Sequence, residues 1–95
     1  MEIDKTIINK ALETWGPDAQ TDLIQEECIE LALAIQKYRR RNGDKRQQFL
    51  DLIDEIADVR IMIDQAFIIF PEELINERIQ IKLERLSNRL DKHIF

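Results

Sequence analysis

The chain has 95 residues, of which 44% are hydrophobic and 35% charged, with two Gly, two Pro, one Cys and a net charge of −5. This composition describes one domain over residues 1–95, all-α, with so short a chain that self-association is the natural way to bury its apolar positions. A lone cysteine excludes internal disulfides and fits a reducing compartment. The acidic balance argues against a nucleic-acid partner, and the lack of a signal peptide or of an apolar run near membrane length reads as no membrane partner and a cytoplasmic protein.

Residues 3–15 predict a first helix, with Ile3, Ile7, Ile8, Ala11, Leu12 and Trp15 on one side and Gly16-Pro17 as its stop. A second helix starts between Asp18 and Thr21 and runs to about Arg41, its apolar stripe being Ile24, Cys28, Leu31, Ile35 and Tyr38. This places Cys28 in the core. Arg39, Arg40 and Arg41 suit the helix C-terminal dipole, and Gly43 suits a left-handed cap. Asp44 with Gln47 resembles a capping box for a third helix, which ends before Pro71 and carries the stripe Leu52, Ile56, Val59, Ile63, Ala66 and Phe70. Pro71, Glu72 and Glu73 suit the first turn of a fourth helix running to about Leu90.

Charges inside the second and third helices are placed against helix stability. Glu27 and Glu30 share one flank of the second stripe, and Glu55 and Asp58 share one flank of the third, each pair three residues apart. Two like charges side by side destabilise a helix unless a cation lies between them. The break at Asn42-Gly43 falls almost midway between the pairs, so an antiparallel hairpin brings them level, to within about one helical rise of 1.5 Å. Same-handed flanks of antiparallel helices packed face to face lie on one side of the pair. All four carboxylates are therefore expected to converge, as ligands of a metal ion would.

The fourth helix separates its charges by sign. Arg78, Lys82, Arg85 and Arg89 fall on one flank of the stripe Ile75, Ile79, Leu83, Leu86 and Leu90, and Glu73, Glu77, Glu84 and Asp91 on the other. A line of cations near a carboxylate-bound Mg²⁺ is what a polyphosphate requires, because Mg²⁺ commonly shares its shell between carboxylates and phosphate oxygens. Intersubunit or intrahelical salt bridging is the bland reading of the same cations.

Glu26-Glu27-x-x-Glu30 followed by Glu55-x-x-Asp58 resembles the EExxE…ExxD signature of the all-α nucleoside triphosphate pyrophosphohydrolases, a superfamily that includes MazG-like proteins, dimeric dUTPases, dCTP pyrophosphatases and phosphoribosyl-ATP pyrophosphatase. Trp15-Gly16, Gln20, the run from Glu55 to Val59, and Lys82-Leu-Glu-Arg85 extend the resemblance over essentially the whole chain, closest to the short MazG-like type. It implies a small four-helix chain that assembles into an oligomeric bundle, a homodimer or homotetramer with shared sites. It also implies Mg²⁺-dependent cleavage, with Mn²⁺ as a substitute, of a nucleoside triphosphate to the monophosphate and pyrophosphate. Glu27, Glu30, Glu55 and Asp58 map onto the metal ligands, and Lys82 and Arg85 onto basic positions near the phosphates. Glu26 is then a candidate for orienting the attacking water, and Trp15, Gln20 and Arg89 are candidates for holding substrate. Trp15 reads more readily as a helix-end aromatic capping the core than as a base-stacking residue.

Two other classes compete with the enzyme. A di-iron carboxylate bundle needs Glu-x-x-His motifs, and the lone His93 is not in one. A non-catalytic helical module that oligomerises or binds a partner would keep the apolar stripes without needing the acid pairs. Within the enzyme class, phosphoribosyl-ATP is the alternative substrate.

Overall fold

The computed structural model describes residues 1–93, which form four α-helices and no strand: α1 (Lys5–Trp15), α2 (Pro17–Arg39), α3 (Lys45–Ile69) and α4 (Glu72–His93). The boundaries follow local chemistry. Asp4 caps α1 by accepting from the Thr6 amide at 2.9 Å, and Asp44 caps α3 by accepting from Arg46 and Gln47 at 3.1 and 3.2 Å. The other half of the expected capping box is missing, because the Gln47 side chain donates forward to Asp51 at 2.7 Å.

Gly16, with φ of 86°, ends α1 through its amide on Leu12 and at once begins α2, with Pro17 in the first turn. The second helix therefore starts earlier than the Asp18–Thr21 expectation. It also stops at Arg39, and Gly43 (φ 92°) serves the connecting turn rather than a helix cap. Lys45 closes that turn. Its ammonium donates to the carbonyls of Tyr38 and Arg40, which the helix end leaves without intrahelical partners.

α2 and α3 are the main packed pair, an antiparallel hairpin with α1 resting against both, while α4 approaches only α3. Covered positions recur at alternating steps of four and three: Gln20, Ile24, Glu27, Leu31 and Ala34 on α2, and Gln48, Leu52, Glu55, Val59, Met62, Ala66 and Ile69 on α3. That spacing is the signature of a coiled-coil seam. The seam is rotated relative to the stripes expected from sequence. One edge of each stripe (Leu31, Leu52, Val59) enters it, while Cys28, Ile35, Tyr38, Ile56, Ile63 and Phe70 stay exposed on the far edge.

Cys28 is thus not a core residue of the single chain, and Trp15 is 65% exposed rather than capping a core. The rotation has a physical origin. Each stripe is wider than one helix–helix contact can cover, so a single neighbour buries one edge and leaves the other. Among the described residues, the buried apolar side chains are only Ile8, Ala34 and Met62, and two glutamines, Gln20 and Gln65, are buried with them.

Candidate metal centre

The rotated seam puts carboxylates where hydrophobes would normally sit. Glu27 of α2 and Glu55 of α3 meet inside it, half-buried, and the exposed Asp58 follows one turn later on the acidic side. One oxygen from each of these three residues lies within 4.8 Å of the other two. Glu27 Oε2 and Glu55 Oε2 are buried without a hydrogen-bond partner. Buried polar atoms are ordinarily paired, and either a proton shared between the two carboxyls or a cation would satisfy these oxygens. An all-oxygen anionic donor set suits a hard divalent cation such as Mg²⁺, Mn²⁺ or Ca²⁺ and offers nothing to a thiophilic one.

Burial pushes the Glu27 carboxyl above its ordinary range, and the negative charges of Asp58, Glu30 and Glu55 push it further. Burial also raises Glu55, followed by Glu30 and Asp58. Each carboxylate thus makes its neighbours harder to ionise, and a cation would reverse the sign of that interaction.

Two clefts flank the centre. One, about 370 Å³, runs towards the α2–α3 turn and is lined by Glu30, Leu33, Ala34, Lys37, Gln48, Asp51, Asp54 and Glu55. The other, about 180 Å³, lies farther from that turn and is lined by Leu23, Glu27, Asp58, Ile61 and Met62. Glu30 therefore stands at the mouth of the larger cleft rather than inside the three-residue cluster. Its charge still raises both Glu27 and Glu55.

The remaining expected site residues are spread out. Glu26 is exposed on α2 next to Glu27 and lines neither cleft. Gln20 is 4% exposed in the seam, and Trp15 projects from the end of α1. Lys82, Arg85 and Arg89 are exposed on α4, which within one chain reaches α3 alone. They make no salt bridge either; among the described residues the one ion pair is Arg60–Asp64, at 3.3 Å.

Lys37 was missed in the sequence. It brings the only cationic side chain to the larger cleft, and its signal was its position, two turns beyond Glu30 on the same flank. Gln48 was missed as well. Its amide donates to the Asn42 carbonyl at 3.2 Å while its oxygen is buried without a partner.

Compared with protein-family models, curated proteins and solved structures, the chain matches none.

Proposed function

We propose that the chain is a Mg²⁺-dependent nucleoside triphosphate pyrophosphohydrolase, taking a ribo- or deoxyribonucleotide to its monophosphate and pyrophosphate. The observation that carries this reading is the meeting of Glu27, Glu55 and Asp58 within 4.8 Å, with a buried, unpartnered oxygen on each of the two glutamates. The EExxE…ExxD resemblance supplies the reaction. In this reading Glu27, Glu55 and Asp58 hold the cation, Mn²⁺ being an alternative, and Glu30 completes the set from the cleft mouth. The chemistry supplied by such a cation is neutralisation of phosphoryl oxygens and acidification of the water that attacks the α-phosphorus.

The protein's own groups do the rest. Glu26 orients the attacking water, while Lys82 and Arg85 neutralise the leaving pyrophosphate, with Arg89 extending the same basic line. Trp15, exposed at the end of α1, belongs to the nucleoside end, whereas Gln20 is buried in the seam and has no surface to offer a substrate within one chain. Because α4 stays away from the acids of its own chain, those cations are supplied by a second copy in a homodimer or homotetramer with shared sites. A non-catalytic helical module is the rival reading. It is favoured by the same distance between the α4 cations and the acids.

Screening common and modified nucleoside triphosphates for pyrophosphate release, with and without Mg²⁺, separates the two readings. Metal-dependent release of pyrophosphate from at least one of them is expected. Inertness towards all of them would favour the module.

A further inference from the structure

The chain's charge is unevenly placed. Between residues 37 and 48 lie six cations, Lys37, Arg39, Arg40, Arg41, Lys45 and Arg46, against one acid, Asp44. Of the 14 Lys and Arg and 19 Asp and Glu in the whole chain, that leaves eight cations and 18 acids elsewhere. The α2–α3 turn region therefore carries +5 and the rest of the molecule −10. The net charge that argues against a general nucleic-acid partner averages over this asymmetry.

Helix stability does not account for these cations. Lys45 is the one that satisfies a helix end, through the carbonyls of Tyr38 and Arg40. Arg39, Arg40, Arg41 and Arg46 are all exposed, and among the described residues their side chains make no hydrogen bond and no ion pair. Arg40 and Arg41 lie beyond the end of α2, while Lys45 and Arg46 occupy the first turn of α3, where the helix dipole disfavours positive charge. The guanidinium groups are thus free for an outside anion.

Two aromatic rings lie beside them. Tyr38 and Phe49 are 40% and 49% exposed, with ring centroids 6.3 Å apart and planes tilted by 51°. The Lys45 ammonium stands 5.7 Å from the centre of the Tyr38 ring, so cation and ring belong to one patch. Cations that take phosphates and exposed rings that take bases are the two elements of a single-strand site. Their placement also discriminates among polyanions. Phe49 is the fifth residue of α3, about 7 Å back from the turn, so a flat lipid surface resting on the turn would not reach the rings. A duplex is rigid, and lying against the turn it would bring further phosphates towards the acidic body. A flexible strand can touch the turn alone and lay a base on each ring.

We propose that the α2–α3 turn is a binding tip for single-stranded nucleic acid, its arginines taking phosphates and Tyr38 and Phe49 taking bases. With about three to five phosphates engaged, the logarithm of the affinity falls with the logarithm of salt concentration at a slope of about −2 to −3.5. Sequence preference is weak, because stacking accepts any base. The tip is independent of whether the acids hold a metal or serve hydrolysis, so its failure and the failure of the enzymatic reading are separable.

The test is fluorescence anisotropy of labelled oligothymidylate and oligouridylate, each about 15 nucleotides long, titrated with the full chain at low salt in the presence of chelator. Binding at micromolar protein is expected, with the salt slope given above. Replacing Arg40 and Arg41 together by Ala should weaken it roughly tenfold or more. Both residues lie outside the helices, so circular dichroism of this variant should match the parent. Tyr38→Ala should weaken binding roughly fivefold or more. Replacing Arg78 and Lys92 together by Ala removes as much charge from α4 and should leave binding unchanged. An oligonucleotide that does not bind, or that binds the Arg40 and Arg41 variant as tightly as the parent, would overturn the assignment. So would equal affinity for a duplex, for phosphatidylserine vesicles or for polyglutamate of the same charge, since each would reduce the tip to a basic surface.

Discussion

Replacing Glu27 by Gln keeps the side chain's shape and removes one of the three charges that meet in the seam. Without metal, that removal relieves repulsion, because the folded protein already disfavours the ionised Glu27. The metal-free variant should therefore melt at the same temperature as the parent or higher. With metal the order reverses. At a Mg²⁺ concentration 100 times its dissociation constant, the parent gains about 2.7 kcal/mol by mass action. For a domain of 95 residues that corresponds to roughly 10–20 °C in melting temperature. If loss of one ligand weakens binding about 100-fold, the gain at the same concentration falls to about 0.4 kcal/mol, or about 2–3 °C.

Asp54→Asn is the control. It removes an equal charge from the lining of the larger cleft without touching the three-residue cluster, and it should retain most of the Mg²⁺ shift. The assay is thermal melting followed by circular dichroism with chelator and with Mg²⁺. Equal loss of the shift in Glu27→Gln and Asp54→Asn would refute the ligand assignment and leave a diffuse acidic surface. A metal-free Glu27→Gln that melts far below the parent would show that Glu27 is a structural partner.

The two raised carboxyls give the metal-free protein a signed pH response. A group whose pKa is higher in the fold than in the unfolded chain favours folding when protonated. The contribution of Glu27 and Glu55 is therefore fully present below their ordinary value of 4.5 and is lost as pH rises through their elevated values. The melting shift caused by Mg²⁺ should accordingly shrink as pH is lowered from neutrality towards 5; a shift that grew instead would contradict the site. Lys82→Ala and Arg85→Ala should lower kcat/KM by at least tenfold while leaving the Mg²⁺ melting shift intact, and loss of the shift would mean that these cations act on the fold. Mixing Lys82→Ala chains with Glu27→Gln chains should restore part of the activity, since a shared site can then take its acids from one copy and its cations from another. Gly43→Ala should cost about 1–2 kcal/mol by urea unfolding, because φ is 92° there and a Cβ would fall 2.5 Å from the Gln48 amide nitrogen. A neutral result would show that the turn relaxes.

Sequence alone was a good guide to the four helices, because their ends are written in short-range chemistry: Asp44 as a cap, Gly16-Pro17 as a stop and Pro71 as a terminator, while the Asp4 cap and the start of α2 at Pro17 went unread. It was also enough to bring α2 acids to α3 acids, since midpoint symmetry about Asn42-Gly43 needs only the helical rise. It was not enough to fix helix rotation. The expected stripes through Ile56 and Ile63 and through Cys28 and Ile35 are real apolar faces, but a single chain covers only one edge of each. Rotation depends on which neighbours are available, and a sequence read one helix at a time does not contain them. The same limit explains why Lys37 and Gln48 went unnoticed, because each matters only through a cleft built by two helices. It also explains α4, whose segregated charges are plain in the sequence but which reaches only α3 within the chain.

The claim that these acids serve hydrolysis between the α- and β-phosphates is tested most directly by running the reaction with Mg²⁺ in ¹⁸O-labelled water and reading the products by ³¹P NMR. Attack at the α-phosphorus puts the label in the nucleoside monophosphate and leaves pyrophosphate unlabelled. Label in pyrophosphate, or products that are the diphosphate and orthophosphate, would contradict it.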